Sequence, residues 1–396
     1  MAKILTSIIA ENLSQITEYH HLLPKNHFGG RPGQSAMDAI HYLIYKIHSA
    51  WRSNKVVSAL FLDVEGAFPN VSPKRLIHNL RKKRIPTSIV KFVKSLLSNR
   101  RTRLRFNNFK SDTIQVQNSI GQGNLLSILL YIYYNTDLLN IPTNTQKKDT
   151  MGYINDITLL SIGNNFTETT EQIEDIMVRE DGRQQWSIEH NSFFGVSKSA
   201  IAHFSRKMST DPRSNNPQRL PLSRPELTLD GQIVQEVKHY KYLGILIDTQ
   251  LRWKEQEQRA AANATKWILQ FRRLSRPSTG VSIKLMRQLY LAVVMPKIIY
   301  GIKTWYTPPT RTIGQTKRSR SVEALQHLQK AQRIATLAIT GTLRSTPNDH
   351  IEIHANILPM ELALLKAYHN AITHILTLPE LRPLNKIVLK KVHNKI

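Results

Sequence analysis

The sequence predicts an α+β protein in which a sheet with its helices, over residues 1–250, precedes a helical part. Residues 56–62 form a near-continuous apolar run, and 151–160 is typical of strand, tight turn and strand. Apolar residues recur at helical spacing between residues 3 and 22. From about residue 251 the chain changes to long helical patterns, roughly 254–275, 281–304, 320–341 and 359–378.

The composition indicates a folded, strongly basic protein. Its 396 residues, 41% of them hydrophobic, are enough for two or three cores. The 55 Lys and Arg residues against 28 Asp and Glu give a net charge of +27, which predicts a polyanionic partner, either nucleic acid or an acidic membrane surface. The absence of cysteine excludes disulfides, thiolate zinc sites and cysteine nucleophiles. With no signal peptide and no apolar run of 18 residues, we expect an intracellular protein without a membrane span.

The first loop, 27–35, is rich in glycine and contains Arg31. Its glycines would let the backbone approach a ligand closely, and Arg31 could bind a phosphate. The alternative, which the local sequence by itself favours, is an ordinary Gly/Pro turn with an exposed arginine. A helix is expected to follow this loop, ending at about residue 53.

Asp63 directly follows the apolar strand 56–62, at an edge of the predicted sheet. Active sites gather at such edges. A buried carboxylate is costly unless it is paired or binds a metal. Asp63 is therefore a candidate metal ligand, with a capping aspartate as the alternative.

Two helices are predicted next, at 72–84 and 87–97, the first with an N-cap serine, a first-turn proline and many basic residues. In residues 101–106 every second residue is an arginine. A strand there would place Arg101, Arg103 and Arg105 on one face. That face could contact a phosphate backbone, or it could simply be solvated.

The polar loop Gly121-Gln122-Gly123 leads into an apolar helix at about 126–139. In the hairpin 151–160, we expect Asn155-Asp156 to form the turn and to push a carboxylate out of a buried element. Such turns are also common without any function.

An acidic helix is predicted at 167–190, followed by a loop with Lys198 and a strand at 201–204. Residues 206–226 have the composition of a flexible surface loop, Asp230-Gly231 gives a hairpin signal, and 240–247 is predicted as another strand.

Two carboxylates on adjacent strands can hold Mg²⁺ ions that activate a 3′-hydroxyl and steady a leaving pyrophosphate. A glycine-rich loop could lie against nucleotide and template, and basic helices could bind a duplex by its phosphates. A template-directed polymerase is therefore physically coherent, although the spacing alone does not single it out.

In these motifs the chain resembles the reverse transcriptase of non-LTR (LINE-type) retrotransposons, especially fungal ones, over residues 1 to about 305. Residues 28–33 resemble the nucleotide-contacting fingers motif, which includes Arg31. Residues 61–68 resemble motif A, in which Asp63 would be a metal ligand and Phe68 the ring that excludes a 2′-hydroxyl.

The remaining motifs follow in the family's order. Gly121-Gln122-Gly123 resembles motif B, and residues 153–156 resemble motif C, with Asp156 as the second metal ligand. Lys198 falls at the motif D lysine, a proton donor to pyrophosphate. Residues that resemble the primer grip are Tyr242, Leu243 and Gly244.

The resemblance implies a right-hand polymerase fold. Residues 1–250 would be partial fingers and palm, 251–305 a helical thumb and 306–396 a helical C-terminal extension, with a linker at about 307–316. It also implies a nuclear RNA-directed DNA polymerase that uses Mg²⁺ or Mn²⁺ and dNTPs and binds an RNA template, a DNA primer and their RNA–DNA hybrid.

Several departures from the family pattern suggest impaired activity. Asn155 replaces the first motif C aspartate, and Asn124-Leu125 replaces Asp-Pro after motif B. An amide offers an oxygen ligand without charge, so divalent-ion affinity should fall. The chain resembles an N-terminally truncated copy that starts inside the fingers, and no endonuclease or RNase H resemblance is found.

Each of these three changes can arise from one C·G→T·A transition, so we hypothesise a decayed element copy. The alternatives are a catalytically dead remnant that binds nucleic acid with the same fold and, more distantly, a basic helical interaction protein. Asp63 and Asp156 on adjacent strands would count against the last.

Overall fold

The computed structural model describes residues 2–141, 147–210, 219–275, 280–311, 318–379 and 382–385. The chain forms two compact units, Met1–Tyr240 and Lys241–Ile396. The first unit combines helices with a five-stranded sheet and the second is mainly helical, so the α+β prediction is confirmed. The sequence pattern placed the change in character ten residues later, near 250.

The first unit begins with helices and the central strand and continues through small hairpins to the rest of the sheet. Its elements in chain order are α1 (Ala2–Tyr19), α2 (Ala36–Arg52), β1 (Val56–Leu62), α3 (Pro73–Lys82), α4 (Thr87–Leu97), β2 (Arg101–Thr102), β3 (Arg105–Phe106), β4 (Phe109–Lys110), β5 (Ile114–Gln115), α5 (Leu125–Asn140), β6 (Lys148–Tyr153), β7 (Asp156–Gly163), α6 (Phe166–Val178), α7 (Arg183–Glu189), a 3₁₀ turn (Val196–Lys198), β8 (Ala200–Phe204), β9 (Met208–Thr210), β10 (Arg219–Pro221), β11 (Thr228–Leu229), β12 (Gln232–Ile233), β13 (Gln235–Glu236) and β14 (His239–Tyr242).

The main sheet has the strand order β13-β8-β1-β7-β6. Strand β1 lies at its centre, antiparallel to both β7 and β8, and all seven of its residues are buried. Helices α2 and α6 both contact β1. A strand with both faces covered must be apolar throughout, which explains the uninterrupted run at 56–62.

Helix α5 is the main core element beside the sheet. Twelve of its residues are buried, including three tyrosines at 131, 133 and 134. Its N-cap is Asn124, whose side-chain oxygen accepts a hydrogen bond from the Leu126 amide at 3.0 Å. Asparagine caps a helix as well as aspartate does, so this departure from the family pattern leaves the start of α5 intact.

The structure corrects three element predictions in the first unit. Residues 101–106 are not one strand, because β2 pairs with β5 whereas β3 pairs with β4. The helix predicted at 167–190 is interrupted between α6 and α7, where Asp181 has φ 60° and a Cβ on Gly182 would lie 2.5 Å from a backbone carbonyl oxygen. The predicted loop 206–226 contains the paired strands β9 and β10, and its residues 211–218 lie outside the described residues.

The predicted strand 240–247 is also wrong, because β14 and a further strand form a hairpin there. The strand and helices that complete the chain are β15 (Ile245–Asp248), α8 (Lys254–Arg272), α9 (Ile283–Leu289), a π-helical turn (Tyr290–Val294), α10 (Met295–Ile299), α11 (Ile302–Trp305), α12 (Val322–Thr340), α13 (Asn348–Ala355) and α14 (Met360–Thr377). Part of the predicted linker, residues 312–316, lies outside the described residues.

Within the described residues one segment, Ile283–Trp305, is long and apolar enough to cross a membrane by length and composition. Core helices of proteins without membrane spans meet the same criterion. Here seven side chains of the segment are buried in the core of the second unit: Met286, Tyr290, Val294, Met295, Ile298, Ile302 and Trp305.

A buried histidine makes the first unit sensitive to acid. His203 is fully buried on β8, and its Nδ1 lies 2.7 Å from the Ser58 Oγ. Burial lowers the pKa of His203 from 6.5 to about 4. Between these values the unfolded chain binds more protons than the folded chain, so the free energy of unfolding falls as the pH falls from about 6.5 towards 4.

Lowering the pH from 7 to 4.5 should reduce the free energy of unfolding of both the unsubstituted chain and His203→Gln. We expect the reduction to be roughly 2–3 kcal/mol smaller in His203→Gln. Urea unfolding at the two pH values measures this difference, with His78→Gln on the exposed side of α3 as the control. Identical acid losses in the unsubstituted chain and His203→Gln would contradict the assignment.

Candidate active site

Two carboxylates meet at one end of the strand pair β1–β7. The last registered pair is Leu62 with Ile157, so the next residues along the two strands are Asp63 and Asp156. The Asp63 side chain is 35% exposed to solvent. Burial and then the charge of Asp63 raise the pKa of Asp156. Two like charges are therefore held close together at an accessible edge of the sheet.

The turn that precedes Asp156 differs from the prediction. Tyr153 pairs with Asp156, so the two turn residues are Ile154 and Asn155, and Asp156 is already the first residue of β7. Ile154, not the asparagine, has the left-handed conformation, with φ 58°. A β-branched residue is strained there and stays only when its surroundings force it to.

Three groups hold this strained turn. The Asn135 side chain of α5 donates a hydrogen bond to the Ile154 carbonyl at 2.7 Å. The first loop runs beside β6, where the Phe28 amide donates to the Gly152 carbonyl at 2.8 Å. A Cβ on Gly29 would lie 2.6 Å from both the Ile154 Cγ1 and its backbone nitrogen. Glycine is therefore needed at 29 for approach to the turn, not to a ligand as the sequence suggested.

Arg31 is not placed to bind a phosphate. Its side chain is 4% exposed, and its Nε and Nη2 lie 2.8 and 3.0 Å from the two carboxylate oxygens of Glu18. Its Nη1 donates to the Pro24 carbonyl at 2.7 Å. Both sequence interpretations, phosphate ligand and exposed turn residue, are therefore wrong. The bidentate pair fastens the first loop to α1.

Phe68 is half-buried, and its ring stacks on Tyr131 with the centroids 5.1 Å apart. The Phe68 carbonyl accepts a hydrogen bond from the Ile120 amide at 3.0 Å, which brings the polar loop beside it. Gly121 and Gly123 are exposed, and no atom lies within 4 Å of where a Cβ would be. This loop leaves open space beside Phe68.

Lys198, at the end of the 3₁₀ turn, lies beside the carboxylate pair. Its Nζ is 3.7 Å from the Asp63 Oδ2, and its side chain is 63% exposed. The Gly195 amide donates to the Asp63 carbonyl at 3.0 Å, so the turn is joined to the end of β1. An exposed cation at this distance has freedom to move between the carboxylates and a bound ligand.

Two tyrosines near the carboxylates were missed by sequence reasoning. Tyr240 stacks on Phe61 with the centroids 3.9 Å apart, and burial with the charges of Asp156 and Asp63 raises the pKa of Tyr240 to about 12. Burial, Tyr134 and the same two carboxylates also raise the pKa of Tyr131. Nothing in the local sequence distinguishes these tyrosines from core residues, because the carboxylates reach them only through the fold.

The predicted primer-grip residues comprise Tyr242, the last residue of β14, and the two turn residues that join β14 to β15. Leu243 and Gly244 have φ 46° and 87°, and Tyr242 is buried. The Tyr300 hydroxyl donates to the Leu243 carbonyl at 2.8 Å within the second unit.

A family model described as reverse transcriptase (RNA-dependent DNA polymerase) matches residues 1–247. The chain belongs to the reverse transcriptase family. The matched residues include the whole main sheet together with Asp63, Asp156 and Lys198.

Curated relatives in Drosophila melanogaster are similar over 77% of this reverse transcriptase chain. A probable RNA-directed DNA polymerase from transposon BS is 25% identical over 309 residues, and one from transposon X-element is 26% identical over 313. The RNA-directed DNA polymerase from mobile element jockey is 22% identical over 318 residues. The chain spans about a third of the length of these relatives, 32% in each case.

Among solved structures, telomerase from Candida tropicalis in complex with the TWJ fragment of telomeric RNA is 8% identical, with a TM-score of 0.45. That alignment covers 97% of this chain and 56% of the telomerase chain. The apo telomerase from the same species is 9% identical, with a TM-score of 0.43 and coverage of 94% and 57%.

Reverse transcriptases generally use divalent metal ions. In the described part of this chain, no group of three or more His, Cys, Asp or Glu side chains is placed to hold a metal ion. Its strongest acidic donor set at the sheet edge is therefore a pair, Asp63 and Asp156, with Asn155 adjacent in the turn.

The close approach at Gly29 gives a stability prediction. We expect Gly29→Ala to lower the free energy of unfolding by about 1–3 kcal/mol, because the new methyl group would overlap the backbone of the strained turn. Thermal unfolding measures the loss, with Gly121→Ala, where the space is open, as the matched control. Equal stability of the two variants would show that the turn can move to accommodate the methyl group without lowering the free energy of unfolding.

The Arg31 pair gives a second prediction. Arg31→Gln should lower the free energy of unfolding by about 2 kcal/mol, since the half-buried Glu18 loses both of its guanidinium hydrogen bonds. The double variant Glu18→Gln/Arg31→Gln should cost less than the two single losses added together. Arg52→Gln, on the exposed end of α2, is the control, and wild-type stability in Arg31→Gln would refute the structural role.

Proposed function

We propose that this chain is the RNA-directed DNA polymerase domain of a non-LTR retrotransposon, extending a DNA primer with dNTPs along an RNA template. The observation that carries the proposal is the position of Asp63 and Asp156 just beyond the last pair of β1 and β7, in a chain of the reverse transcriptase family. The relatives are RNA-directed DNA polymerases from transposons and a mobile element, which supports the same activity and the transposon origin. The net charge of +27 suits an RNA template and an RNA–DNA hybrid.

Asp63 and Asp156 would hold the divalent ions, with the Asn155 amide as a neutral oxygen donor. Burial and then the charge of Asp63 raise the pKa of Asp156, and a cation between the two carboxylates would stabilise their charged forms, which supports this fit. When bound, Mg²⁺ or Mn²⁺ makes a primer 3′-hydroxyl more acidic and screens the triphosphate. The metal ligands therefore come from the two strand ends that the main sheet places side by side.

The other side chains position substrate and move a proton. Lys198, whose Nζ lies 3.7 Å from the Asp63 Oδ2, can donate a proton to the leaving pyrophosphate and becomes a neutral amine in that step. Phe68, braced by Tyr131, would lie against the sugar of the incoming nucleotide and reject a 2′-hydroxyl. The open loop with Gln122 would bind nucleotide and template. Arg31 has no part in this proposal, because its guanidinium is engaged by Glu18.

The domain assignment follows the same proposal. Residues 1–250 would be partial fingers and palm, and 251–305 the thumb. In that arrangement Tyr242, Leu243 and Gly244 would be the primer grip, 306–396 would be a helical extension, and the protein would act in the nucleus.

Asn155 should impair the activity. With a carboxylate at 155 the site would have three negative charges, and the amide removes one of them without changing the size of the side chain. Charge count strongly controls divalent-ion binding by oxygen ligands. Asn155 also favours the second candidate function, a catalytically dead remnant that binds nucleic acid.

Primer extension on poly(rA)/oligo(dT) with Mg²⁺ tests the first candidate. We expect Asn155→Asp to raise activity on the order of tenfold or more, because the third carboxylate restores metal affinity. Asp63→Asn added to that variant should abolish the gain. Asn165→Asp makes the same chemical change at the exposed N-cap of α6 and should leave activity unchanged.

Equal activity of the unsubstituted chain and Asn155→Asp would refute impairment by Asn155. If neither extends a primer yet both bind an RNA–DNA hybrid with a steep salt dependence, the remnant function is correct. Intact sister copies in the encoding genome that share Asn124, Leu125 and Asn155 would refute decay of this copy.

A further inference from the structure

Residues 100–116, here called the basic arm, form a narrow exposed ribbon made of two short antiparallel ladders. Arg101 and Thr102 pair with Gln115 and Ile114 near its base. The second ladder lies at its tip, where Arg105 and Phe106 pair with Lys110 and Phe109. All eight paired residues are exposed. The candidate active site described above makes no use of this arm.

The base of the basic arm is joined to the candidate active site. The Val116 amide donates to the Arg100 carbonyl at 2.9 Å, and the Arg100 side chain donates to the Ser119 carbonyl at 2.6 Å. Ser119 and the following residue then donate backbone hydrogen bonds to the carbonyls of Val71 and Phe68, both at 3.0 Å. The arm therefore starts beside Phe68 and the open glycine loop.

The charge of the basic arm is poorly compensated within the chain. It contains five basic residues and one acidic residue, Asp112. In the described part of the chain, no arm residue forms an ion pair. Arg105 lies directly across the ladder from Lys110. Like charges in that position destabilise a hairpin unless an anion lies against them.

The tip also exposes aromatic rings. Phe106 and Phe109 are 62% and 52% exposed, and their ring centroids lie 4.9 Å apart with the planes tilted by 31°. Side chains alternate across a ladder, so these rings lie on the face opposite to Arg105 and Lys110. One end of the arm thus has a basic face and an aromatic face.

We propose that the basic arm binds unpaired template RNA at the edge of the active site. This inference rests on the proposed function, which supplies an RNA template. Phosphates would neutralise the Arg105–Lys110 face, and unpaired bases would stack on the two phenylalanine rings, the combination typical of single-strand binding. The bases of a duplex are already stacked on each other and cannot cover the rings. A protein surface would not supply the regular row of negative charges.

Fluorescence anisotropy with labelled oligo(U) and a blunt RNA–DNA hybrid tests the aromatic face without any catalysis. Phe106→Leu/Phe109→Leu keeps apolar side chains but removes the rings, and thermal unfolding shows whether this variant is folded. We expect its affinity for oligo(U) to fall by about tenfold or more, because ring stacking contributes strongly for each base. Its affinity for the hybrid should change less than about twofold, since paired bases do not use the rings.

The charge of the basic arm is tested by replacing four of its basic residues with Gln: Arg101, Arg103, Arg105 and Lys110. Four lost phosphate contacts should reduce the slope of log affinity for oligo(U) against log salt by about 3. The matched control removes the same charge from exposed positions outside the arm: Lys3, Lys25, Arg52 and Lys91. We expect a clearly smaller change of slope for this control.

Unchanged oligo(U) affinity in the leucine variant would overturn the proposal and leave a protein surface as the partner of the rings. Equal slope changes in the arm and control variants would overturn it as well, because bulk charge alone would then explain binding. Primer extension by Asn155→Asp is scored separately. Active Asn155→Asp with an arm that does not bind refutes the arm alone, whereas arm binding without extension refutes the polymerase alone.

Discussion

The candidate site depends on one constraint, the antiparallel register of β1 with β7. Seven consecutive pairs, from Val56 with Gly163 to Leu62 with Ile157, fix which residues follow at the end of the two strands. A shift by one residue would turn every side chain of β7 to the opposite face. Complete burial of β1 makes such a shift costly, so the core of the first unit holds Asp63 opposite Asp156.

Holding two carboxylates close together lowers the stability of the fold. Several neighbouring elements hold the strained turn that places one of them. The turn before Asp156 contains a β-branched residue in a left-handed conformation, and strain of that kind costs about 1–3 kcal/mol. Asn135 from α5 and the first loop with Gly29 hold the turn in place. The first loop is itself fastened to α1 by the Arg31–Glu18 pair. Residues far from the carboxylates in sequence therefore support their geometry.

Asn155 changes the electrostatics of the site while leaving this framework intact. Two carboxylates, Lys198 at 3.7 Å from one of them and a neutral amide remain at the edge of the sheet. Asn124 likewise keeps the N-cap of α5. In the proposed function, an amide in place of a carboxylate of the same size would lower metal affinity much more than the stability of the fold.

By itself the sequence determined the α+β class, the order of the motifs and the family, because apolar periodicity and short motifs are local signals. It also identified Asp63, Asp156 and Asn155 as residues of interest. It could not show that Arg31 is paired with Glu18, that Ile154 takes the left-handed turn position, or that Tyr131 and Tyr240 lie near the carboxylates. Only the tertiary structure decided these points, because each depends on side chains that come together through packing between separate elements. The same reason explains the basic arm: its arginines were visible in the sequence, but the pairing of Arg105 with Lys110 and the exposure of the two rings depend on the ladders that the folded chain forms.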